Sequence, residues 1–181
     1  MTLAETTTII FSSLVVISQL ALLWVVGLYV WSGRRDPIGS FAVKYALPLT
    51  FTVAFVATFG SLWYSDVLGY APCKLCWLQR ILMYPQAILL ALAWWKKDAT
   101  IGSYSLALSL PGIVLAGYHY YLQLGGNPLV PCSTVGYSVL CSQRFILEYG
   151  YVTIPMMALT AFALIVAVFA VARHYQKISK K

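Results

Sequence analysis

Residues 69 to 85 read Gly69-Tyr70-Ala71-Pro72-Cys73-Lys74-Leu75-Cys76-Trp77-Leu78-Gln79-Arg80-Ile81-Leu82-Met83-Tyr84-Pro85. Two thiols three positions apart, Cys73 and Cys76, stand at the head of a long apolar run whose one charge is Arg80. At that spacing they can close a small, exchangeable disulfide. A thiolate at a helix N-terminus is stabilised by the unpaired backbone N–H groups and the dipole there. Arg80 follows Cys76 by four positions, so on a helix the two share a face, about 6 Å apart along the axis. Helical side chains lean toward the N-terminus, which aims the guanidinium back at Cys76. An arginine in an apolar run is costly and, inside a membrane, points to function. The competing reading is an arginine that snorkels to the headgroups beside a structural cysteine pair.

Around this stretch the chain is strongly apolar: 61% of its 181 residues are hydrophobic and 9% are charged. An ordinary soluble domain carries about a quarter charged residues, so the composition points to a polytopic helical membrane protein with one compact bundle in the lipid bilayer. The net charge of +7 is not a nucleic-acid signal, because the basic residues fall in short clusters between apolar runs. No basic n-region opens the chain, which carries Glu5 instead, so no secretory signal peptide is expected.

A hydrocarbon core of about 30 Å takes about 20 helical residues to cross. Runs of that length lie at Ile9–Trp31, about Tyr45–Tyr64 (with Pro48 in its first turn), about Trp77–Trp95, about Ile101–Leu124 and about Val152–Ala172. Gly33-Arg34-Arg35-Asp36-Pro37 breaks the chain after the first. Aromatic residues at the span ends, such as Trp94, Trp95 and Tyr118 to Tyr121, suit the interfacial belt. Arg34, Arg35, Lys44, Lys96, Lys97, Arg173, Lys177, Lys180 and Lys181 all fall on one side, against Lys74, Arg80 and Arg144 on the other. By the positive-inside rule the larger group is cytoplasmic, so the N-terminus and both cysteine loops face an oxidising exterior.

The second pair, Cys132 and Cys141, stands nine positions apart in a loop with Pro128, Pro131 and Gly136. Alone it reads as a staple for an external loop. Beside a Cys-x-x-Cys pair it also reads as the first station of a thiol–disulfide relay, since exchange runs through mixed disulfides. Such a relay needs an electron acceptor, and the sequence has no haem, dinucleotide or iron–sulfur motif. A membrane quinone could meet Cys76 and be polarised by Arg80. His119, near the outer end of the fourth span, could hydrogen-bond a quinone oxygen or assist its protonation, or could be only a polar tip among tyrosines. A four-cysteine zinc site is the weaker reading, because the second pair is not Cys-x-x-Cys, and no metal is expected. A channel or transporter with incidental disulfides is disfavoured by the lack of carboxylates within the spans.

Pro72-Cys73-Lys74-Leu75-Cys76-Trp77-Leu78-Gln79-Arg80, continuing through Met83-Tyr84-Pro85, closely resembles the signature of the DsbB family of quinone-dependent thiol oxidases. Gly117-Tyr118-His119-Tyr120, Val130-Pro131-Cys132 and Tyr151-Val152-Thr153-Ile154-Pro155-Met156 look like its shorter, BdbC-type branch. The resemblance covers about Lys44 to Ala172. It implies an all-α membrane protein with a four-helix transmembrane core over residues 44–172; the extra N-terminal helix and basic stop over 1–36 and the basic tail over 173–181 lie outside that core. It also implies that an extracytoplasmic, thioredoxin-like dithiol oxidase of the DsbA type is reoxidised through a mixed disulfide at Cys132. Cys141 would then pair transiently with Cys73 while Cys76 faces the quinone, ubiquinone or menaquinone, with Arg80, Gln79 and His119 around it. The extra helix departs from the family pattern and is expected to be dispensable for chemistry, since every candidate catalytic residue follows it. The rival reading is a disulfide-stapled structural membrane protein without turnover.

Overall fold

The computed structural model describes residues 2–31, 37–98, 100–128 and 140–179, the side chains at 29–31, 37–38 and 178–179 apart. Its elements are α1 (Leu3–Trp31), α2 (Pro37–Leu62), α3 (Lys74–Lys96), α4 (Ile101–Gln123) and α5 (Ile154–Ser179), with α2 widening into a π-helical turn over Trp63–Val67. All five helices are long and apolar enough to cross a membrane. The expected break at Gly33–Asp36, the Val130-Pro131-Cys132 segment, and Lys180 and Lys181 lie outside the described residues.

Three helix ends differ from the hydropathy reading, each because a local signal overrides apolarity. α1 starts at Leu3 rather than Ile9, because Thr2 and Glu5 form a reciprocal cap. The Thr2 N–H donates to Glu5 Oε2 at 2.8 Å, and the Glu5 N–H donates to Thr2 Oγ1 at 3.3 Å. α2 starts at Pro37 rather than near Tyr45, and proline suits the first helical position, where its missing N–H costs nothing. Pro48 therefore lies well inside the helix, not in its first turn. The segment expected as a tail is a continuation of α5 up to Ser179, since the sequence from Arg173 to Lys177 holds no helix breaker.

Helices α2 to α5 form a ring in which sequence neighbours pack side by side and α5 closes against α2. Ala54, Leu90, Ala116, Phe162 and Ile165 fill its centre, each fully buried. Two features fix the ring. Gly112 of α4 lets Phe162 of α5 approach so closely that an added Cβ would come within 2.5 Å of the ring. Gln86 of α3 is buried, and its Oε1 accepts the Ser105 hydroxyl at 2.7 Å and the Ser109 hydroxyl at 3.0 Å from α4. Its Nε2 donates to the Leu82 carbonyl at 3.0 Å. In a bilayer a buried amide must find its partners within the protein, so this clamp fixes the α3–α4 register.

α1 stands outside the ring, chiefly against α5 and less against α2. Phe11 packs on Tyr64 and Ser13 bonds Tyr149, so the N-terminal end of α1 lies at the same end of the bundle as both cysteine loops.

Candidate active site

Cys73 is the N-cap of α3. Its backbone is extended (φ −78°, ψ 175°), and its Sγ accepts the Cys76 N–H at 3.3 Å. The helix dipole and the free N–H groups of the first turn therefore act on Cys73 directly. The Cys76 Sγ lies 3.0 Å away, and both residues are free thiols. The Cys73 thiol is held well below the ordinary thiol range. The main cause is the Cys76 thiol hydrogen bond, with smaller help from the His119 imidazole, against the opposing effect of burial.

His119, at 2% exposure, reaches across from α4. Its Nε2 lies 3.6 Å from Cys73 Sγ, and its Nδ1 lies 3.0 Å from Gln79 Nε2. An amide NH2 group can only donate, so Nδ1 accepts and Nε2 carries the proton toward the sulfur. Gln79, buried one turn below the cysteines, thus fixes the tautomer that lets His119 stabilise a Cys73 thiolate. The sequence placed His119 at this level of the membrane, and the structure brings it to the thiols. The three donor atoms of Cys73, Cys76 and His119 lie within 4.8 Å of one another, a spacing that a soft, thiolate-preferring ion could also use.

Arg80 is half-buried and its fork is turned to α2. Nε donates to Ser61 Oγ and Nη2 to the Ser61 carbonyl, both at 3.0 Å. The Tyr84 hydroxyl donates to the same Ser61 Oγ at 3.2 Å. Trp77 and Tyr84 flank the guanidinium, 5.1 and 5.9 Å from it to ring centre. Reaching back to Cys76 is thus not its resting contact. It is held sideways by Ser61, a residue that nothing in its sequence surroundings singles out.

Beside this cluster lies a cavity of about 320 Å³ with a mainly apolar lining. Cys76, Gln79, Arg80, Ser61, Tyr64 and His119 supply its polar end. The Tyr64 hydroxyl is buried there with no hydrogen bond of good geometry, the Thr8 side chain standing beside it. Met83, Met157, Ala158, Ala161 and Phe162 line the deeper part.

On the other side of the thiols is the second cysteine loop. Cys141, 2% exposed, packs in one buried cluster with Cys73, Leu75 and Leu122. It is disulfide-bonded, and its partner is neither Cys73 nor Cys76, since both are free. Cys132 lies outside the described residues. Gln123 Nε2 donates to the Gln143 carbonyl at 3.0 Å, and Arg144 Nε donates to the Gln123 carbonyl, so the end of α4 grips the segment after Cys141. A stack of Tyr64, Tyr70 and Phe145 (centroids 6.0 and 4.9 Å apart) ties both loops together. A cleft of about 20 Å³ between the two loops is lined by Cys73, Cys76, His119, Gln123 and Phe145.

The profile of the family described as "Disulfide bond formation protein DsbB" matches residues 44–172. The chain belongs to the DsbB family. Among its relatives, "Probable disulfide formation protein C" of Bacillus cereus is 40% identical over 119 residues, covering 66% of this chain and 85% of the relative. "Disulfide bond formation protein C" of Bacillus subtilis (strain 168) is 38% identical over 119 residues, covering 65% and 84% respectively. "Probable disulfide formation protein" of Metapseudomonas resinovorans is 38% identical over 130 residues, covering 71% and 89%. No solved structure matches the chain significantly. As a DsbB-family protein it is a multi-pass membrane protein of disulfide bond formation, with an oxidoreductase role.

Within this DsbB-family core, the structure brings Cys73, Cys76, Gln79, Arg80, His119 and Cys141 to one end of the bundle. Ser61, Tyr64, Gln123 and Arg144 join them without having been singled out. Ser61, Tyr64 and Gln123 have as their one sequence signal a polar side chain near the end of an apolar span, which many interfacial residues share, and Arg144 is a loop cation whose position in the sequence names no partner.

Proposed function

We propose that the protein generates disulfides de novo, taking electrons from an extracytoplasmic, thioredoxin-like dithiol protein and passing them to a membrane quinone. One observation carries this reading. The Cys73/Cys76 pair meets the Cys141 loop on one side and an apolar cavity with Arg80 at its polar end on the other. The cavity's volume of about 320 Å³ is at the lower end of ligand pockets, which run about 300–1,000 Å³. Its donors, Arg80 and the poorly satisfied Tyr64 hydroxyl, suit carbonyl oxygens on an otherwise apolar ring.

Each exchange conserves electrons and protons. A partner dithiol reduces the Cys132–Cys141 disulfide and leaves as a disulfide, giving two electrons and two protons to the loop. The Cys141 thiolate attacks Cys73 in a Cys73–Cys76 disulfide, forming a Cys141–Cys73 bond and releasing Cys76 as a thiolate. Cys132 then attacks Cys141, restoring the loop disulfide and leaving Cys73 as a thiolate that His119 and the α3 N-terminus stabilise. A quinone held at the polar end of the cavity, beside Cys76, Arg80 and Tyr64, would supply the two-electron, two-proton sink that closing the Cys73–Cys76 disulfide again requires. Arg80, held by Ser61 and flanked by Trp77 and Tyr84, keeps a positive charge at the cavity's polar end. Gln79 holds the His119 proton on Nε2, facing sulfur. The positive-inside count supports cysteine loops on the exterior face of the cell membrane, where the partner would be.

The test follows the oxidation state of Cys73/Cys76 by alkylation and gel shift in purified, quinone-stripped protein. A reduced thioredoxin-like dithiol protein should reduce the pair, and a short-chain ubiquinone analogue should then reoxidise it. A pair that stays oxidised with the dithiol, or stays reduced with the quinone, would leave the disulfide-stapled structural reading standing.

A further inference from the structure

The family match begins at residue 44 and leaves α1 outside it. Yet Phe11, Leu14, Val15 and Ser18 of α1 line the same cavity as Cys76 and Arg80. We infer that α1 is the outer wall of the quinone pocket and retains its occupant; this rests on the function proposed above.

The inner face of α1 is a stripe of small or polar residues at helical spacing: Thr8, Ser12, Val15 and Gln19, of which Thr8 and Ser12 are buried. The opposite side carries Ile10, Ile17, Leu20 and Trp24, all exposed as a lipid-facing surface would be. A helix that only anchored the chain in lipid would not need polar contacts deep in its span. α1 makes them at two levels. Near its outer end the Ser13 and Tyr149 hydroxyls lie 2.8 Å apart. Further in, Gln19 is held twice: its Nε2 donates to Thr160 Oγ1 at 2.8 Å, and its Oε1 accepts the Tyr151 hydroxyl at 2.7 Å.

Tyr149 and Tyr151 come from the short turn closed by the Glu148–Val152 bridge. Tyr149 sits there at φ 51°, a left-handed conformation uncommon outside glycine. The turn thus presents both phenols to α1. Phe11, close to the outer level, lies against Gly60 of α2, where an added Cβ would stand 3.3 Å from its ring. It also meets Tyr64 at 5.7 Å between ring centres. The four lining residues of α1 therefore cover the gap between Thr52–Gly60 of α2 and Met157–Leu164 of α5. Without them the cavity would open sideways to lipid. The helix expected to be dispensable for chemistry is, on this inference, needed to hold the electron acceptor.

Two substitutions in the full chain test it, with decylubiquinone binding by equilibrium dialysis as the readout. Val15→Trp projects bulk into the cavity and should weaken binding about tenfold, equivalent to about 1.4 kcal/mol. Gln19→Ala removes atoms only, releases the helix from Thr160 and Tyr151, and should weaken binding by less. Reduction of Cys73/Cys76 by a dithiol protein, measured without quinone, should match wild type in both. Wild-type binding in both variants would overturn the role of α1. So would loss of dithiol exchange together with binding, because a cavity wall has no part in that step. Failure of the wild-type protein to bind decylubiquinone would instead overturn the function on which the inference rests.

Discussion

The Nε2 of His119 stands 3.6 Å from the Cys73 sulfur, while Gln79 holds the opposite ring nitrogen. The cysteine next to the second disulfide loop is therefore also the one whose thiolate is best stabilised. Three sources act together on it: the Cys76 thiol, the imidazole N–H and the N-terminus of α3. A thiolate so held leaves readily in exchange and stays ionised well below neutral pH.

The pH dependence of Cys73 follows from this geometry. Its thiol is lowered, so the thiolate persists at neutral and mildly acidic pH, and its reactivity falls as pH drops through the lowered value. Removing a stabilising group moves that midpoint upward. At a pH below the midpoint, raising it by one pH unit cuts the thiolate fraction, and with it the alkylation rate, roughly tenfold. Iodoacetamide rates on the reduced protein should rank wild type above His119→Phe, with Cys76→Ala slowest, because the Cys76 thiol is the largest contributor.

Arg80 makes two hydrogen bonds to one residue, Ser61, through different nitrogens. Lysine keeps the charge but cannot reproduce a planar fork held at both points. Losing a preorganised donor costs about 2.7–4 kcal/mol of transition-state stabilisation, on the order of a hundred- to a thousandfold in rate. Quinone-reduction rates at equal membrane abundance should fall by that order in Arg80→Ala and by less in Arg80→Lys. Equal rates for lysine and wild type would reduce Arg80 to a snorkelling residue.

Arg144 and Gln123 hold the segment after Cys141 against α4. Arg144→Ala should slow electron transfer between the loop cysteines and Cys73/Cys76 in rapid-quench alkylation. Oxidation of Cys73/Cys76 by quinone should stay at its wild-type rate in the same variant.

Gly112 faces the fully buried Phe162 ring at a distance that leaves no room for a methyl group. Gly112→Ala should destabilise the bundle by about 1–3 kcal/mol, as overpacking of a filled core does. Thermal loss of helical circular dichroism in detergent would show it as a lowered Tm.

The five spans were legible because uncharged apolar runs of membrane length are rare outside a bilayer, and the Cys73–Arg80 stretch was legible because spacing alone fixes its face. Helix ends were less so: the Thr2–Glu5 cap and Pro37 act on backbone groups, which hydropathy does not weigh. Arg80 shows a different limit. Its position on α3 was readable, but its hydrogen-bond partner lies nineteen residues earlier on α2, and pairing across helices depends on bundle rotation. The same holds for α1, whose Ser13 and Gln19 find partners more than 130 residues away. A uniform apolar run gives no sign of which of its few polar residues will meet the bundle.

The central claim is coupling of disulfide formation to a membrane quinone, and it is tested most directly in membranes stripped of quinone and then resupplied. The measurement is the rate at which a reduced thioredoxin-like dithiol protein is oxidised, with the Cys76→Ser protein alongside as control. The account predicts that oxidation stops after no more than the electrons the cysteine pairs can hold, then resumes when ubiquinone or menaquinone is restored to wild type, but not to Cys76→Ser. Sustained oxidation in the stripped membranes, or no recovery on adding quinone, would contradict it.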